Sequence, residues 1–307
     1  MIEYPRYITF PEVSRNPTCV SQVFQTELHV EDGKVFYPAL PKLEKYFLSE
    51  YQSLRFGAAQ FCGFLQDTIH VEHYVVIPAI RDISLLPVKI PQKAHMDLFK
   101  LVTDEGHHAA QALVFINAIK DEFNIVVHEK ENKIPLFVRE LEKQKNNYND
   151  MTKRVLFNML IGVVTETRIS RELGAFVHNK NIINVVRDNC RSHQADEAIH
   201  CSQFMALGKY TWELFSEEQK EFAAEVYAKT TIARSMPDVS RIAFYLSQTT
   251  NIAREECDKI INSIYTKDFL IEEMLVSISS TINFLKKLGV MEYKVARDIF
   301  TQSGVLL

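Results

Sequence analysis

Long apolar runs are missing from this sequence: nowhere do about 18 apolar residues follow one another, so no membrane-spanning helix is encoded. Turn formers are sparse too. Nine Gly and ten Pro among 307 residues are too few for the many tight turns of an all-β protein and suit long uninterrupted helices. The five cysteines, Cys19, Cys62, Cys190, Cys201 and Cys257, are odd in number, widely spaced and without a Cys-x-x-Cys pair, which argues against a disulfide framework or a thiolate zinc site. Nor is there an excess of basic charge. With 35 basic and 39 acidic residues interspersed and a net charge of -4, the chain has no polybasic surface for neutralising phosphates, and nucleic acid is not an expected partner. Residues 1–10 carry Pro5 and polar alternation where a signal peptide would carry an apolar core. These absences lead to the expectation of a soluble, unprocessed, cytoplasmic protein.

What is present is material for a core, with 47% of residues hydrophobic, and helical periodicity. Residues 1–40 are rich in Pro, Thr and Asn and lack a 3.6-residue period, which predicts an extended arm against the body. From Pro41 a helical pattern runs through Leu43, Tyr46, Phe47, Tyr51, Leu54 and Phe61, with a continuation or second helix carrying Ile69, Glu72, Val76 and Ile80 that Pro78 ends or kinks. After a loop holding Pro87 and Pro91, a helix over about residues 92–123 presents Leu98, Leu101, Val102, Glu105, His108, Leu113 and Ile116 along one face. Another runs from Pro135 to about Val177, interrupted by the polar segment 143–149. A further helix carries Val185, Val186, His193, Glu197, His200 and Phe204. From Ser216 onward several amphipathic segments follow, the first opened by Ser216-Glu217-Glu218-Gln219, a capping-box pattern. No linker divides the chain. The expectation is an all-α protein: an arm over 1–40 and a single helical-bundle domain over 41–307.

Only two Glu-x-x-His matches occur, and aspartate precedes both: Asp104-Glu105-Gly106-His107-His108 and Asp196-Glu197-Ala198-Ile199-His200. A random order of this composition would contain roughly 0.04 copies of Asp-Glu-x-x-His, so two are not a coincidence. The spacing has a helical reason: residues three apart lie on neighbouring faces, and a carboxylate oxygen and an imidazole nitrogen can converge on one metal ion. Two such helices facing each other form the centre of a dimetal-carboxylate bundle, which also needs one inward Glu from each of two further helices. Glu72, 33 residues before Glu105, and Glu166, 31 before Glu197, supply these in the right order and in apolar surroundings, where a carboxylate is costly unless paired or metal-bound. His193 precedes Glu197 by four residues and His200 by seven, so all three project within about 60° of arc. Four carboxylates balance two divalent ions, and three imidazoles among them suit iron or manganese over calcium or magnesium. Asp104 and Asp196 are placed to accept the second N–H of a ligating histidine across the bundle.

Taken singly, each of these residues has an ordinary explanation. Glu72 alone would read as a solvated helix residue, and His70 and His73 compete with it by phase; Glu172 competes with Glu166. His107 is expected at the surface or behind the ligands. His29, His95, His128 and His178 are expected to be ordinary surface or core histidines.

The ordered pattern Glu72, Asp104-Glu105-x-x-His108, Glu166, His193-x-x-Asp196-Glu197-x-x-His200 resembles the diiron arylamine N-oxygenases typified by the p-aminobenzoate N-oxygenase of aureothin biosynthesis, over residues 40–290. The extra histidine separates them from ribonucleotide reductase small subunits, hydrocarbon monooxygenases and acyl-carrier desaturases. The resemblance implies a ferritin-like four-helix bundle with peripheral helices and two iron ions, with manganese as a substitute. It further implies Glu105 and Glu197 as bridging carboxylates, with Glu72, His108, Glu166, His193 and His200 as terminal ligands. The implied reaction uses O2 and an external electron donor to oxidise a small amine to hydroxylamine, nitroso or nitro, in a specialised-metabolite pathway and in a homodimer. Phe176 stands where the aminobenzoate enzyme is expected to carry a polar anchor, so an aliphatic amine, an amino acid or a carrier-tethered aminoacyl group is as compatible as a free benzoate. A C–H hydroxylase or desaturase on the same core and a non-catalytic iron-binding bundle are the alternatives.

Overall fold

The computed structural model describes residues 28–38, 40–128 and 133–305. Most of the expected arm, and Cys19 with it, lies outside these residues. Where it is described, the arm does lie against the body: Phe36 is fully buried and edge-on to Phe123 at 5.3 Å. The backbone of Val35 pairs with that of Asn181 and Ile183. Beyond that isolated bridge the described residues hold no β-structure, and the fold is all-α.

Four long elements build the bundle. The first is α1 (Glu50–Val71), which continues through a π-helical turn (Glu72–Val76) into α2 (Ile77–Arg81). The others are α3 (Gln92–Phe123), α5 (Met151–Val177) and α6 (Asn184–Leu214), with the short α4 (Leu136–Asn146) lying between α3 and α5 in the chain. α1 packs along α3 and α5 along α6, while the π-turn touches both α3 and α5. Around them lie α7 (Glu217–Ser235), α8 (Val239–Thr249), α9 (Arg254–Ile264), α10 (Lys267–Leu288) and α11 (Lys294–Gln302). No described helix is long and apolar enough to cross a membrane.

Local sequence sets the helix ends. Ser49 caps α1 by accepting from the Gln52 amide, and Asp150 caps α5 by accepting from Thr152, which resolves the expected interruption before α5 into a break after Asn146. Ser216 and Gln219 form the reciprocal capping box that opens α7. α3 stops where Asn124 turns left-handed (φ 48°) and α10 where Gly289 does (φ 89°).

Burial assigns α5 to the centre: every residue from Val155 to Ile169 is buried. A helix apolar on all sides belongs inside a larger bundle. Its closest approach is at Gly162, where a Cβ would meet the Ala79 Cβ at 2.7 Å and the Phe204 ring at 2.9 Å. Two expected core positions are overturned: Tyr51, in the first turn of α1, is 57% exposed, and the other lies on α3. Leu113 is 52% exposed, because the inward stripe of α3 runs through Leu101, Glu105, His108, Ala112 and Phe115, and residue 113 falls about 100° away from Ala112.

Pro78 neither ends nor sharply breaks the first helix. Proline has no N–H to donate and its ring clashes with the carbonyl four residues back. The chain accommodates it with a turn of wider pitch just upstream, in which the Ile77 amide reaches back five residues to the Glu72 carbonyl. That turn begins at Glu72.

Candidate metal centre

Each bundle element delivers carboxylates or imidazoles to one layer. Glu105 and His108 come from α3, His193, Glu197 and His200 from α6, Glu166 from the all-buried stretch of α5, and Glu72 from the first residue of the π-turn. All seven are buried. Their ligand atoms fall into three overlapping groups, Glu72/His108/His193/Glu197, Glu105/His108/Glu197/His200 and Glu72/Glu105/Glu166, within each of which the atoms lie inside 4.8 Å of one another. Glu72, Glu105, His108 and Glu197 each belong to two groups, so the three groups share residues and form one cluster.

The two Glu-x-x-His units are arranged reciprocally. His108 turns Nδ1 inward, 3.1 Å from Glu105 Oε2 and 3.4 Å from Glu197 Oε1, and its Nε2 lies 3.2 Å from Asp196 Oδ2 on the opposite helix. His200 does the same with Nδ1 at 2.8 Å from Glu105 Oε1 and Nε2 at 3.3 Å from Asp104 Oδ2. Each aspartate therefore holds the histidine of the other motif, fixing ring orientation and leaving Nδ1 as the electron-pair donor. His193 enters from one side. Its Nε2 is 2.9 Å from Glu197 Oε1 and its ring lies 3.8 Å from that of His108.

The site is polar without being satisfied. Both oxygens of Glu72, both of Glu166, Glu105 Oε1 and Glu197 Oε2 are buried and accept no hydrogen bond among the described residues. Burial, reinforced by the neighbouring Glu105 and Glu197 carboxylates, pushes Glu72 well above the usual carboxylate range, and burial with Glu197 and Glu105 does the same to Glu166. Burial acts upward on Glu105 and Glu197 too, but the adjoining histidines, His200 foremost, override it, holding Glu105 at about 2 and Glu197 well below its ordinary value. Burial and the nearby His193 depress His108, favouring the neutral ring that can ligate. Uncompensated buried carboxylate oxygens of this kind are expensive unless a cation sits among them. The donors are oxygen and imidazole nitrogen with no thiolate, a set suited to iron or manganese.

The rival residues lie elsewhere. His70 faces the Gln66 carbonyl and stacks on Tyr74, His73 is exposed, and Glu172 pairs with Arg168 and Arg234. His107 is buried and joins none of the three groups. Phe176 is buried among Tyr37, Phe61 and Phe64, 4.8 Å from the last.

Sequence reasoning missed two charged residues next to this layer, Arg168 and Arg234, and weighed a third, Glu172, only as a rival to Glu166. Arg168 and Glu172 on α5 and Arg234 on α7 line a cavity of about 440 Å³, with Phe137 and Phe176 in its wall. Glu172 and Arg234 also line a second, smaller cavity of about 40 Å³ whose wall includes Glu72. The i, i+4 pair Arg168–Glu172 was open to inspection as a spacing; Arg234 gave no signal.

Residues 47–262 match the family described as P-aminobenzoate N-oxygenase AurF, a stretch that contains all seven buried Glu and His residues of the cluster and both aspartates. The chain belongs to this family. No curated protein matches it. Membership in this N-oxygenase family, a diiron enzyme family, implies an amine substrate and O2, and the buried Glu/His groups fit metal binding.

Proposed function

We propose that this protein is a non-haem diiron monooxygenase that uses O2 to oxidise the nitrogen of a small amine to hydroxylamine, nitroso or nitro, in the making of a specialised metabolite. The observation that carries this reading is the orphaned buried carboxylate set of Glu72, Glu105, Glu166 and Glu197, closed by three imidazoles. Glu105, within reach of His108 and His200, and Glu197, within reach of His108, His193 and His200, would hold the iron pair. Glu72, Glu166, His193 and His200 would complete the ligand set, and His108 lies next to both Glu105 and Glu197.

When bound, the iron pair supplies the activation of O2 and the two-electron oxidation of nitrogen. The chain supplies the rest. Asp104 and Asp196 orient His200 and His108 and hold the protons on their Nε2 atoms. The apolar walls of α5 and the π-turn, with Val75, Val76, Val163 and Ile169 buried around the layer, exclude bulk water from the reacting centre. Oxidation of an amine to a hydroxylamine places one oxygen atom on nitrogen and reduces the other to water, consuming two electrons and two protons; an external donor provides the electrons. His193 favours this reading over a C–H hydroxylase or desaturase on the same core. A homodimer is part of the proposal, and the uncharged face of α3 exposing Met96, Phe99 and Leu113 supports it. So are a cytoplasmic location, an arm over residues 1–40 and a single domain over 41–307.

The test is single-turnover product analysis. Protein reconstituted anaerobically with two equivalents of ferrous iron per chain is mixed with O2 and a panel of aryl and alkyl amines. The expected result is an N-oxygenated product carrying ¹⁸O from labelled O2. Products oxygenated only at carbon would refute the assignment.

A further inference from the structure

Trp212 is the only tryptophan in the sequence, and it is buried near the end of α6 between two tyrosines. Its ring lies 6.4 Å from that of Tyr227 on α7 and 5.6 Å from that of Tyr293, just before α11. Indole and phenol are the aromatic side chains that give up one electron most readily, because a nitrogen or oxygen lone pair feeds the ring. The inner end of this trio approaches the metal layer. A methyl group on Gly208 would meet the Tyr227 hydroxyl at 3.4 Å and Val163 Cγ1 at 3.0 Å, and Val163 stands three residues, close to one helical turn, before Glu166 on α5. The outer end reaches the surface. Tyr293 is half-buried, its hydroxyl donates to Glu217 Oε2 at 2.9 Å, and the Glu217 side chain is 81% exposed.

The two ends differ in what they can do with a proton. A phenol that loses an electron becomes strongly acidic, so its O–H proton must leave for the radical to persist. The Tyr227 hydroxyl is fully buried and has no acceptor among the described residues; its ring can pass an electron but does not come to rest as a radical. Tyr293 has a carboxylate in place to take its proton and to return it. Trp212, between them, can lose an electron while keeping its N–H. The trio therefore runs downhill from the layer to the surface. Phe61, Phe64 and Phe176, which touch one another, form a second aromatic group that offers no such route, because phenylalanine has no lone pair to stabilise the oxidised ring. An O2-activating site walled off from water needs an exit when no amine is bound, since its oxidising power otherwise stays next to its own ligands.

Resting on the diiron reading, we propose that Tyr227, Trp212 and Tyr293 carry oxidising equivalents from the iron pair to the surface when O2 reacts without an amine, with Glu217 as the proton acceptor at the outer end. Reduction of O2 to two waters consumes four electrons and four protons. The ferrous pair supplies two of the electrons, and the other two come singly through the trio, while solvent supplies the protons. In each passage Trp212 gives one electron inward through the Tyr227 ring and takes one from Tyr293. The Tyr293 O–H bond breaks, its proton moves to Glu217 Oε2, and a neutral tyrosyl radical remains. An external one-electron reductant such as ascorbate then returns the electron, and Glu217 returns the proton.

Two measurements test the proposal. In the first, the full chain as purified is held without O2 and its single tryptophan is photo-ionised by a laser flash. The indole radical absorption is expected to give way to tyrosyl absorption in wild type, and to persist in Tyr293→Phe, which keeps the ring and removes only the hydroxyl. Equal decay of the indole radical in both proteins would overturn the outer half of the path, whatever metal the protein holds. In the second, iron-loaded protein is mixed with O2 without amine, frozen, and read by electron paramagnetic resonance, with ring-deuterated tyrosine to assign the signal. Wild type is expected to show a tyrosyl radical that ascorbate removes. Trp212→Phe and Tyr293→Phe lose it, and Tyr245→Phe, whose hydroxyl instead donates to the Val127 carbonyl, keeps it. Iron content and helicity are measured on every protein, and if Trp212→Phe does not fold, Tyr293→Phe carries the comparison. Wild-type iron oxidised with no radical, or a radical unchanged in Tyr293→Phe, would overturn the link to the cluster. Failure of wild type to take up iron would instead sink the diiron reading, and with it the inner half of the path.

Discussion

Removing metal from the cluster should do more than abolish activity; it should make stability fall as pH rises. In metal-free protein Glu72 and Glu166 carry pKa values well above those of an unfolded chain, through burial and the carboxylates around them. A carboxyl that keeps its proton when folded and loses it near pH 4.5 when unfolded costs stability from that pH upward, until the raised folded value is passed. His200 adds to the trend. Its burial is outweighed by Glu105 and Glu197, so its folded pKa lies well above 6.5, and the stability it contributes is present below 6.5 and lost as pH rises through the folded value. His108, depressed by burial, works the other way, but only below 6.5, where the unfolded ring is still charged. From pH 6.5 upward every shifted ligand that still titrates destabilises the metal-free fold, by up to about 1.4 kcal/mol per pH unit for each proton retained.

Metal reverses this, since cations take the place of the retained protons and binding releases them. At free metal one hundred times each dissociation constant, two sites stabilise by about 5 kcal/mol together, or roughly 10 °C in midpoint for a chain of this size. The assay is thermal unfolding by circular dichroism at pH 6.5, 7.25 and 8, with chelated and iron-loaded protein side by side. The gap between the two midpoints should widen with pH. A gap that is constant or narrows, or a chelated protein that gains stability over this range, would refute the electrostatic argument.

Other consequences can be checked together. Asp196→Asn and Asp104→Asn each free one histidine from its cross-bundle partner and should weaken metal binding by about 10- to 100-fold with helicity unchanged, read by competition with a chelating dye. Glu166→Gln removes one of the buried charges that has no protein partner and should lower iron stoichiometry while raising the melting point of the metal-free form, a combination that a purely structural carboxylate would not produce. Gly162→Ala forces a methyl group into the Ala79 and Phe204 side chains and should destabilise by about 1–3 kcal/mol, measured by urea unfolding.

The buried Glu/His cluster was legible because helix geometry writes itself into sequence spacing. Glu105 and His108, and Glu197 with His193 and His200, are related by three, four and seven residues on single helices. Glu72 and Glu166 needed a second argument, that an apolar helix surface does not carry a lone carboxylate without cause; the structure sets both in the cluster and turns His70, His73 and Glu172 away. The cross-bundle reach of Asp104 and Asp196 followed from facing the two motifs. The π-turn was hidden, because the consequence of Pro78 was foreseeable as a disturbance but not as a widened turn that starts on a ligand. Leu113 was misplaced since apolar character alone does not fix the phase of a helix whose outer face also exposes Met96 and Phe99. Arg234 joins the Arg168–Glu172 pair only through the packing of α7 against α5, a tertiary fact with no trace in local pattern.

The central claim, that seven side chains from four helical elements share two iron ions, is most directly tested by metal analysis combined with anomalous diffraction on protein produced with ample iron. The account predicts two irons per chain, both between Glu105 and Glu197, with His193 within bonding distance of one of them. A chain that takes up no iron, or iron found only away from these two carboxylates, would contradict it.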